Sequence, residues 1–319
     1  MSILPYKFAP YLKPVIWGGN KIATFKGIEP QQEQIGESWE ISGLPGHESV
    51  CAERGIPEDS DRGLSLPQLI AKYGASLVGE HVYERFGTEF PLLVKIIDAN
   101  QNLSVQVHPN DQLAQERHNC PGKTEMWYII HAENHAKVHI GLKHPVPPTD
   151  DDNAWVHSIV ESMACYESHP GDVFYLPAGR LHAIGAGNLL AEIQQSSDIT
   201  YRVYDYDRRD ADGHTRELHV EQAKAAIDYQ VRPDYRTHYD THLPSAELSD
   251  CPYFTVRREQ VDGEAHIDYR CDSFIIVMCL KGEVIVNGIK AQQGETLLVP
   301  ASDNKLNITG NATLLTATL

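Results

Sequence analysis

The chain has 319 residues, of which 41% are hydrophobic and 22% charged, a composition typical of a globular protein with two domains or one large β domain. Its formal net charge of −17 argues against nucleic acid or an acidic membrane surface as a partner, because both require a positive protein surface. The N-terminus lacks the basic start and apolar core of a signal peptide, and no segment approaches the roughly 20 apolar residues that span a bilayer. The six scattered cysteines form no CxxC pair, which disfavours a thiolate zinc site and a disulfide framework. These features predict a cytoplasmic protein and leave open a small anionic substrate, which needs only a few local cations.

Short apolar or alternating segments, which are typical of β-strands, recur along the chain. In chain order they lie in residues 13–25, 36–46, 90–98, 104–108, 125–130, 135–142 and 171–187. Helices are predicted for residues 66–80, with an interruption at Gly74, and for residues 217–228. The Pro- and Asp-rich residues 143–154 predict an exposed loop. Many short strands with few long helical patterns indicate an antiparallel β-sandwich or barrel.

A second β-rich module begins near Tyr253 and contains a weak internal repeat of the first. GETLLVPASDNKLNI, which starts at Gly294, aligns with GDVFYLPAGRLHAI, which starts at Gly171, since both have glycine, five residues and then proline. The later copy has Lys305 and no histidine, so the chemistry is assigned to the first module. We therefore predict a functional domain over residues 1–230, a linker over 231–249 and a second domain over 250–319.

Residues 104–125, SVQVHPNDQLAQERHNCPGKTE, carry two pairs of polar side chains with strand spacing. Gln106 and His108 lie two residues apart and should share one strand face, about 6.6 Å from each other, while the flanking valines occupy the other face. Lys123 and Glu125 repeat this spacing on what the pattern predicts to be the next strand. We interpret the two pairs as most of a mononuclear metal site whose last ligand comes from elsewhere in the chain.

Residues 171–182 have the form G-x5-P-x-G-x2-H, which resembles the second motif of the cupin β-barrel superfamily. In cupins this hairpin delivers a histidine to a metal that is also held by an earlier HxH-type pair and a glutamate. The resemblance implies that His182 joins Gln106, His108 and Glu125. It also implies a mainly β fold of two cupin-type β-barrel (jelly-roll) modules with a few short helices, of which only the first binds metal.

Over most of its length the chain resembles the type I mannose-6-phosphate isomerases (phosphomannose isomerases), particularly their short bacterial form. The matching segments are IWGG (16–19), GESWEIS (36–42), FPLLVKIIDANQNLSVQVHPND (90–111), GKTEMWYII (122–130), LPAGRLHAIG (176–185) and SSDITYRVYDYDR (197–208). The resemblance implies one zinc ion per chain, bound by Gln106, His108, Glu125 and His182. A buried glutamine bonded to backbone would have the same sequence pattern, and the short form is often described with only the two histidines and the glutamate as ligands, so the role of Gln106 stays open.

The resemblance also implies a phosphosugar site beside the metal, with Ser104, Lys95 and Arg208 at the phosphate. Arg202 is implied as catalytic; because a guanidinium stays charged, we expect it to stabilise an enediolate or the phosphate. Asp198, four residues earlier, is expected to orient it. The group that moves the proton is not identified by the residues, with Lys123 and Asp198 as candidates.

These observations predict a zinc-dependent aldose–ketose isomerase that interconverts D-mannose 6-phosphate and D-fructose 6-phosphate through an enediol-type intermediate. Two neutral imidazoles, an amide and one carboxylate would leave Zn²⁺ a net charge near +1 and hence Lewis acidity. Two alternatives remain at this stage: an iron-dependent cupin dioxygenase, and a sugar-phosphate-binding cupin without turnover. Neither the residues nor the resemblance specifies the oligomeric state.

Overall fold

The computed structural model describes residues 3–29, 34–52, 54, 56, 59–147, 149–209 and 212–319. These residues form a mainly β structure with a few short helices, as the sequence predicts. The strands are β1 (Tyr6–Ala9), β2 (Tyr11–Gly19), β3 (Ile35–Ile41), β4 (Val50–Cys51), β5 (Leu92–Ala99), β6 (Val105–Val107), β7 (Glu125–Ala132), β8 (Lys137–Leu142), β9 (Met163–Glu167), β10 (Val173–Leu176), β11 (His182–Ile184), β12 (Asn188–Gln195), β13 (Tyr201–Tyr204), β14 (Arg236–Thr237), β15 (Ser245–Cys251), β16 (Phe254–Asp268), β17 (Ile275–Val286), β18 (Ile289–Gln292), β19 (Thr296–Val299) and β20 (Lys305–Thr318). The helices are α1 (Lys21–Lys26), α2 (Leu66–Tyr73), α3 (Ala75–Val78), α4 (Glu80–Phe86), α5 (Asp111–His118), α6 (Asp152–Glu161) and α7 (Val220–Ala226). Among the described residues no helix is both long and apolar enough to cross a membrane.

The strands form three antiparallel sheets. A five-stranded sheet has the order β13-β6-β11-β8-β9, and a seven-stranded sheet has the order β14-β10-β7-β12-β5-β3-β2. An eight-stranded sheet has the order β15-β16-β20-β17-β19-β1-β4, with β18 paired to β17. The described strands pack as open sheets, the jelly-roll arrangement, and do not close into barrels.

The seven-stranded sheet lies between the other two sheets, because alternate side chains along its strands pack into two different cores. On β5, Leu92, Val94 and Ile96 pack into one core together with residues of β17 and β19, such as Ile276 and Leu298. Ile97, on the other face, packs into a separate core with Val138 and Ile184 of the five-stranded sheet. Strand side chains alternate between faces, so one strand can contribute to both cores, and Lys95 consequently points to the five-stranded side.

The outer face of the five-stranded sheet is covered by α6 and α7. Val105 and Val107 pack there with Trp155 of α6 and Ala223 of α7. This leaves the opposite face of β6 for Gln106, as the alternating sequence predicts. The helix predicted over residues 217–228 is therefore confirmed as α7 and holds the sheet that carries the polar residues.

The C-terminal module repeats the strand–turn–strand form of the first. β19 begins two residues after Gly294 and ends before Pro300, just as β10 begins two residues after Gly171 and ends before Pro177. The N-terminus also enters this module, because β1 pairs with β19 in the register Tyr6↔Leu298. The division at residues 231–249 stays a prediction; residues 236–237 pair with β10, and residues 245–251 pair with β16.

Two local predictions need correction. Lys123 and Glu125 do not share a strand, since α5 intervenes after β6 and β7 begins only at Glu125. The predicted loop over residues 143–154 ends early, because the Asp151 carboxylate caps the N-terminus of α6 by accepting hydrogen bonds from two backbone N–H groups. An aspartate at the N-cap stabilises a helix by about 1 kcal/mol. The acidic, Pro-rich composition of this segment is typical of a loop and did not indicate the start of the helix.

Candidate metal centre and sugar-phosphate cleft

Three polar side chains form a row across the five-stranded sheet. In the strand register, His182 of β11 lies opposite Gln106 of β6, and Gln106 lies opposite Arg202 of β13. Residues directly opposite each other in an antiparallel pair point to the same face. All three therefore face the middle sheet, where Glu125 begins β7.

His108, Glu125 and His182 are buried and bring their ligand atoms within 4.8 Å of one another. The Nε2 atoms of His108 and His182 lie 3.5 and 3.4 Å from the two carboxylate oxygens of Glu125. Both oxygens are buried; Oε1 has no hydrogen-bond donor among the described residues, and Oε2 has the Lys123 ammonium 2.9 Å away. Two imidazole nitrogens and a carboxylate that converge in this way form a nitrogen and oxygen donor set that suits a divalent cation, so the site fits a metal ion.

The two histidines are held in the state that a metal requires. Each Nδ1 lies 2.8 Å from a backbone carbonyl oxygen, that of Ile199 for His108 and that of Arg180 for His182. Donation from Nδ1 leaves Nε2 unprotonated toward Glu125. Burial, together with the Lys123 ammonium, lowers the pKa of His108 well below its ordinary value, and burial lowers the pKa of His182 to about 4.

Gln106 lies beside this group. Its Nε2 is 3.3 Å from Nε2 of His182, and its Oε1 accepts a hydrogen bond from the Ser104 hydroxyl at 3.1 Å. Turning the terminal amide by 180° would direct the oxygen toward the histidine instead. The position is compatible with a fourth ligand, and ligation by Gln106 stays a proposal.

His182 is placed by the Pro177-Ala178-Gly179 turn that the sequence predicts. The turn is closed by donation from the Arg180 N–H to the Pro177 carbonyl at 3.1 Å, and the Gly179 N–H donates to the His108 carbonyl at 2.9 Å. Gly179 has φ +88°, and a Cβ there would lie 2.9 Å from the Ala226 carbonyl oxygen. Glycine is required at this point, where the turn contacts both a ligand residue and the end of α7.

Lys123 extends from just before β7 into the same group. Its Nζ lies 2.9 Å from Oε2 of Glu125 and 3.1 Å from Nε2 of His108. The ammonium is buried and lies between two ligand atoms. It is therefore close enough to act on a substrate oxygen at the metal.

A second group, which we call the lysine end, contains Lys13, Lys95, Glu37, Glu192 and Asp198. Lys95 Nζ lies 3.6, 3.4 and 3.9 Å from carboxylate oxygens of Glu37, Glu192 and Asp198. Although burial opposes it, the charges of Glu37 and Glu192 raise the pKa of Lys95, so this amine stays protonated. Burial and the charge of Glu125 raise the pKa of Glu192.

A third group, the arginine end, lies where the chain returns after β13. It consists of Arg202, Arg216 and His219, all of which line the cleft. Arg208 does not line it; its Nη2 instead hydrogen-bonds to the Asn102 carbonyl and lies 3.7 Å from Asp205.

The lysine end, the arginine end, Gln106 and Lys123 border one cleft of about 350 Å³. Arg208 and the three buried ligand residues are not among the residues that line it. Five of the residues predicted to act on substrate line it, namely Lys95, Ser104, Lys123, Asp198 and Arg202. The sequence interpretation missed Lys13, Glu37, Glu192, Arg216 and His219. A glutamate within the apolar run LLAEI of β12 was the clearest available signal for Glu192, because unpaired acids are rarely buried.

Comparison with known proteins places this geometry in a family. Residues 6–123 match the model for the phosphomannose isomerase type I catalytic domain, and residues 246–319 match that for the mannose-6-phosphate isomerase cupin domain. The mannose-6-phosphate isomerase ManA of Bacillus subtilis is 34% identical over 325 residues, which cover 98% of each chain. The chain belongs to the type I mannose-6-phosphate isomerase family. The family and the cupin fold predicted from the sequence are thereby confirmed.

Solved structures of mannose-6-phosphate isomerases share the fold. The Bacillus subtilis enzyme superposes with a TM-score of 0.84 at 30% identity, covering 99% of this chain and 100% of that one. A mannose 6-phosphate isomerase bound with zinc and yttrium gives a TM-score of 0.79 at 18% identity, with 99% of each chain covered. The similarity extends over both modules of this member of the family.

Proposed function

We propose that this protein interconverts D-mannose 6-phosphate and D-fructose 6-phosphate as a zinc-dependent isomerase with an enediol-type intermediate. The observation that carries the proposal is the buried His108–Glu125–His182 group beside a cleft with cationic side chains, in a chain of the mannose-6-phosphate isomerase family. The isomerisation removes the proton from C2 of the open-chain aldose and returns a proton to C1, so no oxidant or reductant is needed.

His108, Glu125 and His182 would hold one zinc ion, with Gln106 as a further ligand. The two imidazoles are neutral, and one carboxylate oxygen has no donor among the described residues, which suits a divalent cation with nitrogen and oxygen ligands. Zinc is favoured by this ligand set and is present in a protein of the same fold. When bound, the ion stabilises negative charge that develops on the substrate oxygens.

Glu192 is the group best placed to carry the proton between C1 and C2. It is buried, and its Oε2 accepts a hydrogen bond from the Trp127 indole N–H at 2.9 Å, which holds the carboxylate in one orientation. Its raised pKa brings it closer to the range in which a carboxylate acts as an efficient base. Asp198, a candidate from the sequence, is 51% exposed in its side chain and is less suited to this role.

The other cleft residues act on charge. Lys123 donates to a substrate oxygen near the metal ligands, and Arg202 provides a permanent positive charge for the enediolate or the phosphate. The hydroxyl of Ser104 lies beside Gln106 on the cleft wall, where it can donate to the sugar. The proposed function includes specificity for a phosphosugar and the binding of a single zinc ion.

The decisive test is a coupled assay of purified, zinc-loaded protein with fructose 6-phosphate, with and without a chelator. We expect turnover that the chelator abolishes and that added zinc restores. Oxygen consumption would favour an iron-dependent dioxygenase instead. Substrate binding without turnover in zinc-loaded protein would reject the isomerase and favour a binding protein.

A further inference from the structure

The chain after β13 folds back on that strand and builds the arginine end of the cleft. The His219 N–H donates to the Arg202 carbonyl at 2.7 Å, and the Arg202 N–H donates to His219 Nδ1 at 3.3 Å. The Arg202 guanidinium donates to the Glu217 carbonyl at 2.9 Å through Nη1, while its buried Nε has no hydrogen-bond partner among the described residues. These contacts fix residues 216–219 beside Arg202 and leave an unused donor in the cleft wall.

Arg216 is held in one orientation by Asp205. Its Nε and Nη2 donate to the two carboxylate oxygens at 2.7 and 2.5 Å, and the Asp205 side chain is only 5% exposed. This side-on pair engages two of the five guanidinium N–H groups. The opposite edge of the planar fork, with the remaining three, lies outside the ion pair. A guanidinium presented in this way matches the geometry of a phosphate.

The two ends of the cleft differ in charge. At the lysine end, two ammonium groups face the three carboxylates of Glu37, Glu192 and Asp198. At the arginine end, one buried carboxylate, that of Asp205, pairs with two guanidinium groups, those of Arg208 and Arg216, so positive charge is in excess there. Glu217 is also nearby, but its side chain is 83% exposed, so solvent screens it. An incoming dianion is therefore attracted to the arginine end and repelled by the lysine end.

We propose that Arg216 is a substrate-binding residue that, together with Arg202, receives the phosphate group, and that Asp205 is its positioning residue. This inference rests on the proposed function and orients the substrate within it. Arg202 lies two strands from His182, roughly 10 Å, since strands in a sheet are spaced by about 4.8 Å. A phosphate at Arg202 and Arg216 thus leaves the sugar chain to reach back to the metal ligands with C1 and C2. Lys95 then neutralises carboxylates and does not contact the phosphate.

The test uses the zinc-loaded full chain and compares Arg216→Gln, Arg216→Lys and Asp205→Asn with wild type. We expect Arg216→Gln to raise the KM for mannose 6-phosphate and the inhibition constant of inorganic phosphate together, each by about 10- to 100-fold, with kcat little changed. Arg216→Lys should lie between, because it keeps the charge and loses the fork. Asp205→Asn should shift KM in the same direction and add little to Arg216→Gln, since both changes disrupt one interaction.

Arg270→Gln is the matched control, because Arg270 is 86% exposed, does not line the cleft and loses the same charge on substitution. An unchanged phosphate inhibition constant in Arg216→Gln would overturn the proposal, and so would a loss of kcat at constant KM. If Arg216→Gln loses its zinc or no longer unfolds cooperatively, the same two criteria, KM and the phosphate inhibition constant, are applied to Arg216→Lys, provided that its melting temperature is unchanged.

Calorimetric titration with inorganic phosphate separates this inference from the isomerase activity. If wild type is inactive but binds phosphate, and Arg216→Gln does not bind it, the phosphate site is supported and the isomerase is rejected. Equal phosphate binding by both proteins, in an active isomerase, would reject the site and leave the isomerase standing.

Discussion

Glu125 is the residue at which the three candidate metal ligands meet. It is buried and contacts two neutral imidazoles and the Lys123 ammonium, and its Oε1 has no hydrogen-bond donor among the described residues. Because the three ligand residues come from separate parts of the chain, we expect a divalent ion bound by them to stabilise the fold.

Substitution of His182 by alanine tests this link. We expect His182→Ala to lose stoichiometric zinc, measured by elemental analysis after gel filtration. Zinc should raise the melting temperature of wild type, since a ligand that binds only the native state stabilises it, and this shift should disappear in the variant. His157→Ala is the control, because His157 is 76% exposed on α6. Retention of one zinc per chain by His182→Ala would contradict the ligand assignment.

Glu192→Gln should decrease kcat by at least about 100-fold, the usual contribution of a general base, with zinc content unchanged. Glu247→Gln, an exposed change of the same type, should have no such effect. A Glu192→Gln variant with wild-type kcat would remove Glu192 from the reaction.

The pH dependence of the wild-type enzyme provides an independent check on Glu192. The base acts when deprotonated, and burial raises its pKa above the ordinary value of 4.5. We therefore expect kcat/KM of zinc-saturated enzyme to decrease as pH falls through that raised pKa. An acid limb that Glu192→Gln retains unchanged would contradict this assignment.

Among the secondary-structure elements, the turn between β10 and β11 does most to place the metal ligands. It joins His182 to the His108 carbonyl through the Gly179 N–H, and it receives the Asp228 N–H at the Gly179 carbonyl from the residues after α7. One turn thus connects two ligands and the helix that covers the sheet. A displacement at Gly179 should be transmitted to both histidines.

Gly179→Ala should therefore weaken zinc binding as well as stability. The added Cβ would contact the Ala226 carbonyl, and the left-handed backbone would cost about 1–3 kcal/mol. Gly263→Ala isolates the backbone term, because Gly263 has the same φ of +88° but no atom near its Cβ position. Zinc affinity from competition with a chromophoric chelator should fall in Gly179→Ala only. Equal affinities in the two variants would show that the turn does not position the ligands.

For the whole molecule, the arrangement in three layers gives the C-terminal module one core of its own, around Val277 and Ile308, and a second core that it shares with the middle sheet. Phe274, Ile276 and Met278 of the C-terminal sheet pack against β5 of the middle sheet, and Phe90 contacts Phe274 at a ring-centroid distance of 4.6 Å. Strand β1, from the start of the chain, pairs with β19. The second module therefore takes a strand from the start of the chain and covers one of its apolar faces with the middle sheet.

We accordingly expect a fragment of residues 246–319 to lack a cooperative thermal transition in circular dichroism, since it would expose this apolar face and an unpaired β19 edge. Co-expression with residues 1–245 should restore a soluble complex. A sharp melting transition and dispersed NMR spectrum of the isolated fragment would show instead that residues 250–319 are an independent domain, as the sequence interpretation supposes.

The sequence by itself determined the local and periodic features of this protein. Alternation placed Gln106 opposite its flanking valines, the glycine–proline turn predicted the hairpin before His182, and motif order identified the family. These are short-range properties, because strand period and turn chemistry depend on neighbouring residues. The sequence could not show which of its many charged side chains would contact one another in the folded protein.

The tertiary structure decided those pairings. Lys95, predicted at the phosphate, lies among three carboxylates; Arg208 is outside the cleft lining; and Glu192 and Arg216, which the sequence interpretation passed over, border the cleft. Register between strands distant in the chain brings His182, Gln106 and Arg202 into one row. The physical reason is that the environment of a charge, and hence its role, is set by long-range packing of sheets and not by the residues beside it in the chain.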